Sequence, residues 1–366
     1  MQYFILAGEA SGDLHAANLV NEIIKLDESA VFKGVGGEHM QKASVDILFG
    51  LDRLAFMGFY EVLKNLRTIN QNFNEVKQSI LTYKPDVIIL IDYPGFNLRM
   101  AKWCKHHGFK VVYYIAPQIW AWNEKRVEII KKNVDLVLCI LPFEVAFYTK
   151  HNYINAHFVG HPLLDCQWSM DNSQSSIEND IINNIALLPG SRKQEITKLL
   201  PIYLELANQY PNEQFVIAGI SRLKHLYNYE LPQNVIIKWN SVDEILLQAK
   251  AAVVCSGTAS LETALRNVPQ VVCYKTSWLN YQIGKRLAKV DFISLPNLIA
   301  NKKIVTELIQ YDCTVESIKT DLDKLLNASN LHFYEALFEK IGEKGASAKA
   351  AGLIIDEIAS KLKKSF

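Results

Sequence analysis

An aspartate closes the apolar run Val-Ile-Ile-Leu-Ile-Asp at residues 87–92, and Tyr93-Pro94-Gly95-Phe96-Asn97 turns the chain directly after it. In open α/β sheets ligands bind beyond the carboxyl ends of strands. A carboxylate in that place can take a proton from a substrate hydroxyl, which makes Asp92 a candidate general base. The alternative is an Asx turn that merely stabilises the loop. Three more loops share this position. Gly8-Glu9-Ala10-Ser11-Gly12-Asp13 is not G-x-G-x-x-G, which weakens a dinucleotide reading. Either Ser11 or Asp13 caps the next helix, or the glycines let a ligand approach the backbone beside these polar side chains. In Leu188-Pro189-Gly190-Ser191-Arg192, Ser191 and Gln194 form an S-x-x-Q capping box. Capping needs no arginine, however, and a guanidinium beside helix N–H groups makes a bidentate phosphate site. Ser256-Gly257-Thr258-Ala259-Ser260-Leu261-Glu262 follows an apolar run, and its small residues allow a phosphate to reach a helix N-terminus. Glu262, one turn in, suits ribose hydroxyls or simply the helix dipole. Two phosphate-type loops without a Walker motif point to a nucleotide-bound donor and away from ATP hydrolysis.

These loops need strands and helices to carry them. The chain has 366 residues, more than one ordinary core supports, so two domains are expected. Tyr3–Ala7, Val87–Ile91, Val111–Ile115, Leu136–Cys139 and His157–Val159 read as strands. Between them, Leu14–Lys25, Phe59–Tyr83, Leu98–His107 and Glu124–Asn133 read as helices. Near-continuous apolar strands suit parallel sheets covered on both faces. The stretch Asp165–Asn184, rich in Ser, Asn and Asp, reads as a linker. The alternation then restarts with Ile185–Leu188, Gln194–Gln209, Phe215–Ala218, Val235–Lys238, Ala251–Cys255 and Gln270–Tyr274. After Val305 the chain reads as wholly helical. The expected fold class is α/β, with two doubly wound domains and a cleft between them.

Composition narrows the function classes. Hydrophobic residues make 49% and charged residues 21% of the chain, which excludes a largely disordered protein. Lys+Arg 39 against Asp+Glu 38 gives no global charge for wrapping nucleic acid. The six cysteines show no C-x-x-C pair, and Cys139, Cys255 and Cys273 sit in apolar runs where they pack as small hydrophobes. The histidines lack metal-ligand spacing, so no metal site is expected. His161 reads as a structural histidine or a cleft residue near the linker. The N-terminus reads as a first strand, not a signal peptide, and no apolar run spans a bilayer. A cytosolic or membrane-surface protein is therefore expected. Residues 266–303 hold seven basic residues and one acid, a local charge of 7 − 1 = +6, interleaved with Trp278, Leu279, Tyr281 and Ile283. That mixture suits an acidic amphiphile or a headgroup layer. Arg53–Tyr60 with Val62, Leu63, Lys64 and Arg67 reads as an ordinary core face or as a second such contact.

Several strings taken in order resemble one family. They are AGEASGD at 7–13, MGFYEVL at 57–63, PDVIILIDYPGFN at 85–97, WAWNEKR at 120–126, LPFE at 141–144 and FVGHPLLD at 158–165. LPGSR at 188–192, SGTASLE at 256–262 and SLPNLIA at 294–300 follow. The set covers about 300 residues and resembles lipid-A-disaccharide synthase, a glycosyltransferase family of the bacterial outer-membrane lipid pathway. The resemblance implies the glycosyltransferase B-type fold: an acceptor and lipid-binding domain at 1–165, a linker at 166–184 and a UDP-sugar-binding domain at 185–340. A helical segment at 341–366 returns to the first domain. It implies an inverting transfer from UDP-2,3-diacylglucosamine to 2,3-diacylglucosamine 1-phosphate, giving a β-1,6-linked disaccharide 1-phosphate and UDP with no cofactor. Asp92 matches the catalytic aspartate, and the UDP site falls on Gly190, Ser191, Arg192, Ser256, Gly257, Thr258, Glu262, Asn297 and Gln310. Acceptor and acyl-chain contacts fall on Glu9, Ser11, Phe56, Met57, Phe59, Trp120 and Trp122. The implied partners are the two lipid substrates, an anionic membrane surface on the cytoplasmic face of the inner membrane, and a second protomer. Two departures stand out. Many members have a second aspartate where this chain has Gly95, and many have Ser-Val where it has Gln118-Ile119. The rival readings are another UDP-sugar enzyme, an epimerase or peptidoglycan-type transferase, and a non-catalytic nucleotide-sugar or lipid-binding module.

Overall fold

The apolar runs form strands buried on both faces. The computed structural model describes residues 1–54, 65–165, 184–288, 290–327 and 334–362. The chain divides into two units, Met1–Cys166 with Gly342–Phe366, and Gln167–Ile341. In the first, β1 (Gln2–Ala7), β2 (Val31–Val35), β3 (Asp46–Ile47), β4 (Val87–Ile91), β5 (Val111–Tyr114), β6 (Leu136–Cys139) and β7 (Ala156–Phe158) form one sheet. Their order is β3-β2-β1-β4-β5-β6-β7, every pair parallel. Alternate side chains go to opposite cores, as the two-residue period requires. Phe4, Leu6, Ile88 and Leu90 pack with Val76, Ile80 and Met100 on one face. Tyr3, Ile5, Ile89 and Ile91 pack on the other with Leu19, Val20 and Ile23 of the helix Ala10–Leu26. Each such aliphatic side chain contributes about 1.5–3 kcal/mol by leaving water.

The last helix, Ala346–Leu362, belongs to this first unit. Its Ala350, Ala351, Ile354 and Ile358 join the second of these cores. Asp165 secures the start of that helix, its carboxylate accepting from the N–H groups of Gly345 (2.7 Å), Ala346 (3.1 Å) and Ser347 (2.7 Å). A carboxylate there satisfies otherwise orphaned donors and complements the helix dipole. Toward the far end, Lys110 pairs with the Glu357 carboxylate and donates to the Glu357 carbonyl at 3.0 Å.

In the second unit, β8 (Asn184–Leu188), β9 (Gln214–Gly219), β10 (Val235–Trp239), β11 (Ala249–Cys255), β12 (Gln270–Tyr274) and β13 (Thr306–Ile309) line up as β10-β9-β8-β11-β12-β13, again all parallel. Three differences from the sequence reading have local causes. The segment after Val305 is not wholly helical: Thr306–Ile309 is an edge strand paired with β12. Glu307 hides the strand, because a carboxylate inside a four-residue run breaks its apolar signature. β2 and β3 are strands that no apolar run announces, since VFKGV carries a lysine and a glycine and β3 has two residues. Asp165 ends a 3-10 turn and Asn184 opens β8, so neither end of the expected linker is irregular. Residues 59–64 of the helix expected over Phe59–Tyr83 lie outside the described residues; the rest, Leu66–Tyr83, is helical. Among the described residues no helix is long and apolar enough to cross a membrane.

Two histidines are sealed into the first unit. Burial pushes His15 down to about 4, with the Asp165 charge opposing, and pushes His161 down to about 3, with His15 adding to the fall. An unfolded chain takes up these protons as pH falls below about 6.5, whereas the folded one does so only near 4 and 3. Stability is therefore fully present above about 6.5 and declines as pH drops, by up to about 1.4 kcal/mol per pH unit for each histidine. The backbone N–H of Leu163 donates to His161 Nδ1 at 3.3 Å, a bond that an amide oxygen can also accept. Thermal melts of native protein and His161→Asn at pH 7.5 and 5.5 check this. The native melting temperature falls further than that of the variant.

Candidate functional site

β8 and β11 are neighbours although the chain visits β9 and β10 between them, so the connections diverge where these two strands end. Such a switch point leaves a crevice at the strand ends. The loop after β8 leads into the helix Lys193–Asn208, with Arg192 in the N-cap position. Two of its amides are already occupied. Glu195 Oε2 accepts from the N–H groups of Ser191 (2.9 Å) and Arg192 (3.1 Å), while Arg192 Nη1 donates to Glu195 Oε1 at 3.1 Å. The capping partner is thus Glu195, not Gln194, because the helix begins two residues after Ser191. Gly190 makes room for it: its φ is +108°, and a Cβ there would lie 2.4 Å from Glu195 Oε2. Arg192 stays on the exposed side, within electrostatic reach of Cys255 and Tyr274 at the ends of β11 and β12.

The loop after β11 is built differently. Gly257 (φ +142°) starts the helix Thr258–Leu265, and among the described residues no side chain caps it. A Cβ on Gly257 would meet nothing within 4 Å, so the backbone is open, and only glycine adopts this φ without strain. Ser260 N–H donates to the Gly257 carbonyl at 3.1 Å, so the Thr258 and Ala259 N–H groups present the positive end of the helix dipole. Ser256 Oγ donates to the Ile293 carbonyl at 3.1 Å. Glu262 is half-buried, and burial pushes its carboxyl up while the Arg266 guanidinium opposes. Arg266 also donates to the Glu262 carbonyl at 2.8 Å and pairs with Asp243.

Asn297 and Gln310 shape this region from within. Asn297 is fully buried, its Nδ2 donating to the Val305 carbonyl (3.0 Å) and Glu307 Oε1 (2.8 Å), its Oδ1 accepting from Ile304 N (2.7 Å) and Val305 N (2.9 Å). Gln310 clamps both polar backbone groups of Thr276, accepting from its N–H at 3.0 Å and donating to its carbonyl at 3.1 Å. Glu307, which the sequence reading passed over, is the hub. Its carboxylate accepts from Ile293 N (3.0 Å), Ser294 N (3.0 Å), Ser294 Oγ (2.6 Å) and Asn297 Nδ2. It therefore sets the position of Ile293, whose carbonyl holds Ser256.

In the first unit the switch point lies between β1 and β4. Asp92 and Tyr93 follow β4 in left-handed conformation, φ +44° and +47°, and Ile115 after β5 shares it at +61°. Residues without glycine's freedom cost about 1–3 kcal/mol each in such conformations. The neighbours impose them: the Asp92 carbonyl accepts from Tyr113 Oη (2.6 Å) and Asn97 Nδ2 (2.8 Å), and its N–H donates to the Tyr114 carbonyl at 3.1 Å. Tyr93 Oη donates to the Leu54 carbonyl at 2.7 Å; burial and then the Glu9 charge push this phenol up to about 12. Glu9 and Tyr93 are thus brought together beside Asp92. Glu9 stands at the N-cap of the helix Ala10–Leu26 and Ser11 is exposed in its first turn. Asp13 does not cap that helix; it accepts from Gly37 N (2.6 Å), His39 N (3.0 Å) and Met40 N (3.2 Å) at the start of the next one, Glu38–Lys42. Trp120 is buried, its Nε1 donating to Glu144 Oε1 at 3.1 Å, and Trp122 ends the short helix Ile119–Trp122. Phe56, Met57 and Phe59 lie outside the described residues.

Glu195, Glu307 and Glu144 are the site-forming residues that sequence reasoning missed. Only Glu195 carried a readable signal, an acid three residues past an N-cap, once the helix start is placed at Lys193. Removing the Glu307 carboxylate leaves four donors without their acceptor, so Glu307→Ala lowers stability by about 2–4 kcal/mol. A fall in the denaturant midpoint of the isolated protein checks it, and Glu307→Gln loses less.

Comparison with known proteins agrees with these parallel sheets. The lipid-A-disaccharide synthetase family profile matches residues 3–354. A lipid-A-disaccharide synthase of Geobacter sulfurreducens is 38% identical over 375 residues, covering 98% of this chain and 97% of that protein. One from Idiomarina loihiensis is 39% identical over 367 residues, covering 96% of each. Among solved structures, UDP-GlcNAc 2-epimerase from Neisseria meningitidis bound to UDP-GlcNAc superposes with a TM-score of 0.66 at 12% identity, covering 98% of this chain and 100% of that one. The glycotransferase of kitacinnamycin gives 0.64 at 14% identity, covering 98% and 99%. These distant likenesses speak to the fold, whereas the near-full-length matches to curated sequences and the profile speak to the family. This chain belongs to the lipid-A-disaccharide synthase family.

Proposed function

We propose that this chain is an inverting glycosyltransferase that joins UDP-2,3-diacylglucosamine to 2,3-diacylglucosamine 1-phosphate, forming the β-1,6-linked disaccharide 1-phosphate and UDP. Family membership over residues 3–354 carries this reading. The open helix start at Gly257–Thr258 supports it, as a seat for the donor's diphosphate. The acceptor 6-hydroxyl attacks the donor's anomeric carbon. The new O–C bond forms as the bond from that carbon to the diphosphate oxygen breaks on the opposite face, which inverts the centre. Asp92 takes the hydroxyl proton. Charge that builds on the departing UDP meets the Arg192 guanidinium and the first-turn N–H groups, donors already in place before reaction.

Within this reading the two loops of the second unit divide the work. With Glu195 on the amides of Ser191 and Arg192, the loop after β8 contributes its arginine, and the loop after β11 contributes its backbone. Gly190 and Ser191 serve the turn that presents Arg192. Glu262 faces the ribose, and Asn297 and Gln310 act by holding neighbouring backbone. Product formation by purified protein given both diacylated substrates, in detergent with chelator, tests the assignment. Disaccharide phosphate accumulating in step with UDP supports it; UDP without disaccharide points to another acceptor, and interconversion of UDP-GlcNAc alone to an epimerase. In the same assay Asp92→Asn lowers kcat by about 10²–10⁴-fold with a smaller change in KM. Near-native turnover would remove Asp92 as the base.

Peripheral association with an anionic membrane on its cytoplasmic face, and a homodimer that exchanges its C-terminal helices, belong to the same proposal. Trp278 and Tyr311 are each 63% exposed, beside exposed Lys285 and Arg286, in the second unit. That mixture suits lipid headgroups and acyl chains, and Phe56, Phe59 and Lys64 in the first unit are a separate candidate contact. Replacing Phe56 and Phe59 by Ser and Lys64 by Glu is expected to release the protein from anionic vesicles. Unchanged co-sedimentation would exclude that segment as the contact.

A further inference from the structure

Gly8 and Tyr93 follow neighbouring strands, β1 and β4, at the switch point of the first unit. A Cβ on Gly8 would lie 2.3 Å from Tyr93 Cγ and 2.4 Å from its Cδ1, so the phenol ring sits directly against the Gly8 backbone. Gly8 does not have a positive φ; what glycine supplies there is space. Gly12 in the same loop is the contrast, since a Cβ there would meet its nearest neighbours at 3.6 and 3.7 Å, ordinary contact. The far end of the ring is tied as well, because Tyr93 Oη donates to the Leu54 carbonyl at 2.7 Å. The chain just before that carbonyl is itself anchored. Arg53 pairs with Glu75 at 2.6 Å, and Asn72 Nδ2 donates to the Arg53 carbonyl at 2.7 Å, both partners lying on the helix Leu66–Tyr83. We propose that Tyr93 is a positioning residue of the first-unit site: wedged against Gly8 and bonded to Leu54, it fixes the Glu9 loop against Asp92 and so governs how tightly the hydroxyl-bearing acceptor is held. The kinetic consequence rests on the reading of the first unit as the acceptor domain; the wedge itself does not.

The backbone that carries the ring leaves it little choice of direction. Asp92 and Tyr93 stand at φ +44° and +47°. The Asp92 carbonyl is held by Tyr113 Oη and Asn97 Nδ2, and the Tyr93 carbonyl accepts from Phe96 N (3.2 Å) and Asn97 N (3.0 Å). Phe96 also packs beside the Tyr93 ring, with centroids 6.2 Å apart. On the other side of the wedge, Glu9 is the residue after Gly8 and the N-cap of the helix Ala10–Leu26. Removing the ring therefore frees the Glu9 loop first, while the Asp92 backbone keeps its own hydrogen bonds. A shift of about 1 Å in a group that positions a substrate can cost on the order of 10²-fold in rate. Arg192 and Gly257 belong to the second unit, so the effect is expected on the acceptor and not on the nucleotide donor.

Gly8→Ala, Tyr93→Ala and the double variant form a cycle that tests the wedge without substrate. Tyr93→Ala deletes every atom that a Gly8 Cβ would strike. The denaturant midpoint is expected to fall steeply when Gly8→Ala is added to the native chain and hardly at all when it is added to Tyr93→Ala. In turnover assays, Gly8→Ala and Tyr93→Ala raise the acceptor KM by about tenfold or more, while the donor KM and the affinity for UDP stay within about twofold. Tyr93→Phe keeps the wedge and loses only the Leu54 bond, so it shifts the acceptor KM less than Tyr93→Ala. Should Gly8→Ala alone not fold, a folded double variant carries the same conclusion. A double variant that also fails beside a folded Tyr93→Ala, or an equal midpoint loss in both backgrounds, would overturn the wedge. A fall in kcat with both KM values unchanged, which a smaller folded fraction also gives, would overturn the positioning role. Coupled midpoints in a protein that forms no disaccharide would retire the reading of the reaction and leave the wedge standing.

Discussion

Parallel pairing between strands that the chain visits out of order governs both candidate sites. β1 lies against β4 and β8 against β11, both pairs parallel. A parallel pair puts both carboxyl ends on the same edge, and a right-handed crossover must then leave each strand for its own helix. Where the chain reverses its direction of travel across the sheet, the two departing helices diverge and leave the strand ends uncovered. Asp92 and Glu9 stand at one such point, and Arg192 and Gly257 at the other. None of these residues would share an edge if either sheet were antiparallel.

The same topology creates a polar problem that carboxylates solve. Every strand-to-helix turn carries amides with no partner in the helix, and burying them bare costs about 1–3 kcal/mol each. Asp13, Asp165, Glu195, Glu307 and Glu144 each gather two or more such donors. Each also ties its own element to another, or fixes a neighbouring side chain. The helix Thr258–Leu265 is the contrast, since its first turn has no side-chain cap among the described residues. That difference separates two loops which look alike as motifs: one satisfies its amides internally and offers a guanidinium, the other offers its amides. For Asp92 the described constraint falls on the backbone, which two side-chain donors and a strand carbonyl hold in a conformation it would not choose alone.

Membership of the lipid-A-disaccharide synthase family and likeness in fold to UDP-sugar epimerases are compatible for the same reason. The fold supplies strand ends and helix starts, and individual side chains decide the chemistry performed there. With Gly95 at its turn, the loop after β4 carries Asp92 as its one acid.

Much of the architecture was legible in the residues themselves. Runs such as Val87–Ile91 and Ala251–Cys255 are apolar on both alternations, which only a doubly covered parallel strand tolerates, and the polar loops at their ends mark the functional edge. Asp92, Arg192 and Ser256–Thr258 could be picked out because their types do chemistry and their neighbours do not hide them. What pairs with what could not be read, because hydrogen bonds across tens of residues leave no local period. Asn297 and Gln310 matched ligand-site strings yet spend their amides on nearby backbone. Asp13 caps a helix 25 residues further on, Glu195 replaces Gln194 at its cap, and Glu307 and Glu144 are ordinary acids until folding buries them among donors. Residue type and short-range pattern determined the family and the apolar strands, but not β2, β3 or β13. Tertiary structure alone decided which polar groups stay exposed at the strand ends and which are consumed in holding the edge, because that depends on burial and on the nearest donor in space.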